Sequence, residues 1–276
     1  MNTTVKRTIY GVLFLLVMLA GMLWNRYGFL ALFLAMDAGM LLEFYKMTLG
    51  SSHKTVQAGA LVTALAAFLL VALVSGPQHL APRFLCLVPV LLLVLMIIMV
   101  FRHTGFKDFS YVFAGLLYIG LPLALSPMLI TRPDGSFTGL LMLAFFIIIW
   151  SGDVGAYCFG MLLGQRSWSK KLCPGISPKK SWAGAIGGMV SALLAGAVLY
   201  WTHLLACPLV HCLVLAAVMN VTSVFGDLFE SLWKRQFGLK DSGNVIPGHG
   251  GLLDRFDSAL FAIPAGAAYL VLFGLL

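Results

Sequence analysis

Charge is scarce in this sequence. Of 276 residues only 10% are Asp, Glu, Lys or Arg, and ten in all are acidic. A soluble domain carries about 25% charged residues, so that class is excluded. Cysteine is sparse as well. Cys86, Cys158, Cys173, Cys207 and Cys212 show no paired metal-ligand spacing, which argues against a zinc site. Most lie in or beside apolar runs and read as small core hydrophobes. No convincing internal repeat is present, which speaks against the paired halves of many transporters. No low-complexity linker divides the chain. The first apolar run follows Lys6 and Arg7 without a small-residue cleavage site, so it reads as a first span rather than a removed signal.

What the sequence does have is hydrocarbon: 61% hydrophobic residues and a mean hydropathy of +0.97. A bilayer-crossing helix needs roughly 20 apolar residues. Nine runs qualify, at about 8–25, 27–49, 56–76, 83–101, 108–130, 137–163, 182–203, 207–232 and 256–275. The sixth is interrupted by Ser151, Gly152 and Asp153. The expected fold is therefore an all-α polytopic membrane protein with about nine helices. It forms one membrane domain over 1–276, with N-terminal spans in 1–136 and polar loops and functional spans in 137–276. With the N-terminus inside, fifteen of the eighteen Lys and Arg fall on the inner side; Arg26, Arg83 and Arg132 fall outside. That asymmetry predicts N-in, C-out and puts the polar loops 164–181 and 233–255 in the cytoplasm. The net charge of +8 sits in these short loops, so it reads as topology and attraction to anionic lipid or nucleotide, not nucleic acid.

The densest polar stretch is Ser231 to Asp257, SLWKRQFGLKDSGNVIPGHGGLLDRFD. Its charges cannot be satisfied in lipid, so it lies at the surface or lines a wet cavity. On a helix, Asp227, Glu230, Ser231 and Lys234 share one face. A carboxylate at that depth needs a partner, either a basic residue such as Lys234 or a metal ion. Asp254 and Asp257 flank Arg255 where the last span begins; helix N-terminal capping competes there with a metal-ligand role, more strongly for Asp257. Asp227 and Asp254 are the pair expected to share a divalent ion, since magnesium needs few carboxylates when phosphate oxygens complete its shell. Pro247 to Gly251, with His249, reads as a phosphate cradle beside Lys234, Arg235 and Lys240, or as an ordinary turn. Lys179, Lys180 and Ser181 precede the span starting near Trp182; they bind phosphate at a helix N-terminus or merely enforce topology. Asp153 lies inside an apolar span and is a functional candidate on that ground. Asp37 and Glu43 are less informative, with Glu43 able to pair with Lys46 on one helix face.

These residues resemble the CDP-diacylglycerol synthase (phosphatidate cytidylyltransferase) family. The family pattern is Ser-x-apolar-Lys-Arg, four residues, Lys-Asp, then a loop ending His-Gly-Gly-apolar-x-Asp-Arg-apolar-Asp. The chain matches it at the same spacing from Ser231 through Lys240, Asp241, Gly250 and Gly251 to Arg255 and Asp257. Asp153–Tyr157 and Ser177–Trp182 are similar too, so the likeness covers about the C-terminal 45% of the chain. Two positions depart from it: Val154 where the family usually has Thr, and Ala183 where it usually has Glu. The resemblance implies transfer of the cytidylyl group of CTP to phosphatidate, giving CDP-diacylglycerol and pyrophosphate for phospholipid synthesis. It places magnesium on Asp227 and Asp254, with a second, monovalent cation and a homodimer left open. It also implies a bacterial-type inner membrane and a cytoplasmic active site. Two alternatives are a CTP- or ATP-dependent lipid-alcohol kinase and a non-catalytic transporter of an anionic substrate.

Overall fold

The structure is a computed structural model. It describes residues 3–132, 134–166, 169–245 and 250–276, with side chains from residue 8 onward. The chain is predominantly helical and polytopic. Eight helical segments among the described residues are long and apolar enough to cross a membrane, and a shorter apolar stretch, Thr8–Leu23, precedes them.

The described residues divide into two compact units, Met1–Gly139 with Asp241–Arg255, and Leu140–Lys240 with Phe256–Leu276. In the first unit the helices are α1 (Thr3–Leu23), α2 (Arg26–Thr48), α3 (Lys54–Ser75), α4 (Leu87–Phe101), α5 (Phe106–Gly115) and α6 (Leu121–Leu125). Asn25 starts α2 by accepting the Gly28 N–H at 2.8 Å, an Asx cap on a donor that lacks an intrahelical acceptor. Between α5 and α6 the chain widens into a π turn at Leu116–Gly120, with the Leu121 N–H reaching Leu116 five residues back. Pro122 supplies a cause: it brings no N–H and its ring crowds the carbonyl four residues earlier. The core of this unit is aromatic. Phe29 and Phe33 stack at 4.0 Å, and the buried Tyr45 hydroxyl donates to the Val112 carbonyl at 2.9 Å. α4 is the opposite case, with Leu93, Ile97 and Val100 largely exposed along an uninterrupted apolar helix, a surface suited to lipid.

The second unit contains α7 (Leu140–Leu162), a hairpin of β1 (Lys171–Cys173) and β2 (Ser177–Ser181), α8 (Trp182–Trp201) and α9 (Leu209–Gln236). Most of α10 (Leu253–Leu272) belongs to it as well. The hairpin is antiparallel, Lys171 opposite Ser181 and Cys173 opposite Ser177. α7 runs unbroken through Ser151, Gly152 and Asp153, which the sequence reading took as an interruption. Small residues are there because neighbouring helices come close. A Cβ on Gly152 would lie 2.5 Å from Asn220 Oδ1 on α9, and one on Gly155 would lie 2.9 Å from the Gly187 carbonyl on α8. Small residues at such crossings are how helices pack where the solvent is itself apolar.

Only Cys212 of the five cysteines is buried; Cys86 and Cys158 are exposed. This corrects the reading of all five as core hydrophobes, because apolar runs in a spanning protein also face outward. Cys207 and Cys212 sit with their sulfurs 3.2 Å apart. Burial, and then the bond to Cys212, push the Cys207 thiol up to about 12.

Candidate active site

In the second unit, polar groups from α7, α9 and α10 and from β2 converge. α9 carries Asp227, whose Oδ2 meets Lys180 Nζ of β2 at 2.7 Å and whose Oδ1 accepts the Ser231 hydroxyl at 3.3 Å. Burial deepens along β2 toward α8, so Lys179 is exposed while Lys180 is half-buried. Ser181 then turns inward, accepting the Gly184 N–H at 3.2 Å as the cap of α8.

α7 adds Asp153, which interacts electrostatically with Asp227 and Lys180 and accepts hydrogen bonds from the Ser223 and Ser258 hydroxyls. α10 adds Asp257, which interacts electrostatically with Asp227, Asp153 and Lys234. Its entry is made possible by Gly226, where a Cβ would stand 2.4 Å from the Asp257 carbonyl. Lys234 pairs with the buried Glu230 one turn back, at 2.5 Å. The partner of Asp227 is thus Lys180, while Lys234, the cation first considered for it, binds Glu230. Four carboxylates face two lysines, an excess of negative charge that favours a cation.

Three carboxylates and two hydroxyls are the oxygen donor set a hard divalent ion takes. Among the described residues, however, no three acids already stand in a ready-made metal cluster.

In the first unit the same kinds of residue are arranged differently. Asp254 Oδ2 accepts the Ser242 N–H at 2.9 Å, the Gly251 N–H at 2.8 Å and the Ser242 hydroxyl at 3.1 Å. Glu43 on α2 is buried and accepts the N–H groups of Leu252 and Leu253, both at 2.9 Å. Glu43, which could have paired with Lys46, takes these bonds instead. Gly250 has φ +84°, the left-handed region, and a Cβ there would sit 2.8 Å from Asp254 Oδ2.

Of the other predicted site residues, Arg235, Lys240, Asp241 and Arg255 are exposed, with Arg235 donating to the Leu239 carbonyl at 3.3 Å. His249, with Ile246, Pro247 and Gly248, lies outside the described residues. Val154, one of the two departures from the family pattern, is 62% exposed. Sequence reasoning gave too little weight to Glu43 and did not single out Ser223 and Ser242. Ser223 was signalled by its place one turn before Asp227 on α9; Glu43 had no local signal.

A model of the cytidylyltransferase family matches residues 5–273, nearly the whole chain. The chain belongs to the cytidylyltransferase family. Curated relatives agree. The phosphatidate cytidylyltransferase of Rickettsia bellii is 36% identical over 164 residues, 57% of this chain and 68% of the relative. That of Bacillus subtilis is 46% identical over 118 residues, 43% of this chain and 42% of the relative. That of Brucella suis is 44% identical over 162 residues, 58% of this chain and 56% of the relative. The matched stretches thus span from under half to about two thirds of these relatives.

Proposed function

We propose that this cytidylyltransferase transfers the cytidylyl group of CTP to phosphatidate, forming CDP-diacylglycerol and releasing pyrophosphate. The observation that carries this reading is the convergence of Asp153, Asp227 and Asp257 on Lys180 and Lys234, in a chain matched by the family from residue 5 to 273. The phosphatidate phosphate is a nucleophile at neutral pH, so the protein needs no strong base. Its task is to bring two polyanions together and to offset charge on the leaving pyrophosphate. Lys180 and Lys234 are the cations for that task within the second unit.

Magnesium bound here would supply Lewis-acid neutralisation of phosphate charge. Asp227 is the proposed ligand in both lines of reasoning. The sequence pairs it with Asp254. The geometry of the second unit offers Asp153 and Asp257 beside it, while Asp254 Oδ2 is already taken by three donors. Gly250, Gly251 and the N–H groups around them keep their reading as a phosphate-binding loop.

The chain is also proposed to lie in an inner membrane with nine spans, N-in and C-out, its polar loops in the cytoplasm where CTP is found. The fifteen-to-three distribution of Lys and Arg supports this orientation. Reporter fusions at Lys171 and Gly243 are expected to read cytoplasmic and one at Leu276 external; a cytoplasmic Leu276 would sink the odd-span topology.

The activity itself is tested with purified protein, CTP, phosphatidate and magnesium. CDP-diacylglycerol and pyrophosphate are expected in equal amounts. A phosphorylated lipid with a nucleoside diphosphate would mark a kinase, and absence of both products would overturn the reading.

A further inference from the structure

The first turn of a helix exposes N–H groups that need acceptors, usually supplied by a Ser, Thr, Asp or Asn at the N-cap. α10 begins after His-Gly-Gly and has no such side chain at its cap. Gly251 cannot be exchanged for one. A Cβ there would lie 2.1 Å from Ser242 Oγ, 2.6 Å from Glu43 Oε2 and 2.7 Å from the Gly243 nitrogen. The missing acceptor comes instead from α2. Glu43 Oε1 takes the Leu252 N–H and Oε2 takes the Leu253 N–H, each at 2.9 Å. The Ser242 hydroxyl lies 3.1 Å from Glu43 Oε2 and equally 3.1 Å from Asp254 Oδ2. Asp254 in turn reaches back three residues to accept the Gly251 N–H. One buried carboxylate from a position 209 residues earlier thus completes the cap of the segment that carries Gly250, Gly251 and Asp254.

We propose that Glu43 is a positioning residue for this loop: its carboxylate fixes Ser242 and the first N–H groups of α10, and thereby the conformation in which the loop meets the phosphates of CTP. The proposal rests on the cytidylyltransferase reading for its kinetic consequence, but not for its structural one. Glutamine at 43 keeps the size and one acceptor. Its amide nitrogen, however, would point a donor at donors, so at least one of the two N–H bonds is lost.

The test compares the wild type with Glu43→Gln and with Ser242→Ala, which removes only the hydroxyl between the two acids. Two readouts are taken on intact protein in detergent. Hydrogen–deuterium exchange is expected to rise in peptides covering 250–256 of Glu43→Gln and to stay at wild-type level in α7 and α8. Steady-state kinetics are expected to show the KM for CTP raised about 10- to 100-fold, the scale on which outer supporting residues act on a site, with the KM for phosphatidate unchanged. Ser242→Ala is expected to shift both readouts in the same direction by less. Unchanged exchange at 250–256 overturns the proposal. So does a fall in kcat alone that follows the folded fraction, which is the signature of a merely structural acid. Should Glu43→Gln lose protection throughout the chain, Ser242→Ala decides, and a wild-type KM for CTP in that variant overturns the proposal. A wild type that makes no CDP-diacylglycerol would refute the activity and leave the exchange result standing.

Discussion

Acids in the two units keep different company. In the first unit Glu43 and Asp254 are occupied by backbone N–H groups and by one serine hydroxyl. In the second, Asp153, Asp227 and Asp257 interact electrostatically with one another and with two lysines, beside a few hydroxyls. Backbone donors belong to the fold and cannot leave when a ligand arrives. A lysine or a hydroxyl can swing away, and carboxylates left facing each other are stabilised by any cation that enters. The difference teaches where to look for support and where to look for chemistry. An acid held by main-chain donors holds a loop; an acid crowded by other acids attracts a positive ligand.

Replacing acids one at a time breaks this comparison most directly. Asp227→Asn and Asp257→Asn are each expected to abolish nearly all pyrophosphate release, a loss of several kcal/mol of transition-state stabilisation, with the protein still extracted and monodisperse. Asp254→Asn is expected to cost less and to loosen its loop. The sequence-based pairing of Asp227 with Asp254 anticipates the reverse, with Asp257 the milder site. Magnesium activation curves decide between them. A raised magnesium requirement confined to Asp254→Asn, with Asp257→Asn turning over normally, would return the ion to the sequence-based pair.

How far the sequence reaches depends on whether the relevant spacing is local. Eight of the nine apolar runs coincide to within a few residues with helices long and apolar enough to cross a membrane, because satisfying some twenty backbone groups is decided within one segment. Asp227, Ser231 and Lys234 were legible from helical spacing on α9. The role of Asp257 was not, because two explanations share its position. An acid in a first helical turn satisfies capping rules whether or not it faces a cluster, and only the approach of α10 to α9 at Gly226 separates them. Glu43 was illegible for a stronger reason. Its partners lie 199 to 210 residues away, and the one local partner, Lys46, is where the sequence directed attention. Likewise Ser151, Gly152 and Asp153 looked like a break in a span because hydropathy counts polarity and not the proximity of α8 and α9.

The finest form of the comparison lies within a single strand. Lys179 and Lys180 are adjacent, and by composition both bind phosphate. Burial separates them. Lys180 reaches Asp227 at 2.7 Å and its side chain is 22% exposed, whereas Lys179 is exposed. Lys180→Gln is therefore expected to lower turnover on the order of 100-fold, the scale of losing one preorganised charge-stabilising donor. Its stability should also fall, by about 1–3 kcal/mol, because removing the half-buried Lys180 leaves carboxylates without a counter-charge. Lys179→Gln should act only through the general attraction of a basic loop for a polyanion. That attraction is screened beyond a Debye length of about 8 Å at physiological salt. The expected result is a small rise in the KM for CTP at low ionic strength that disappears at physiological salt, with kcat unchanged. Equal, salt-insensitive losses in the two variants would show that both lysines touch the triphosphate and that the strand does not sort them.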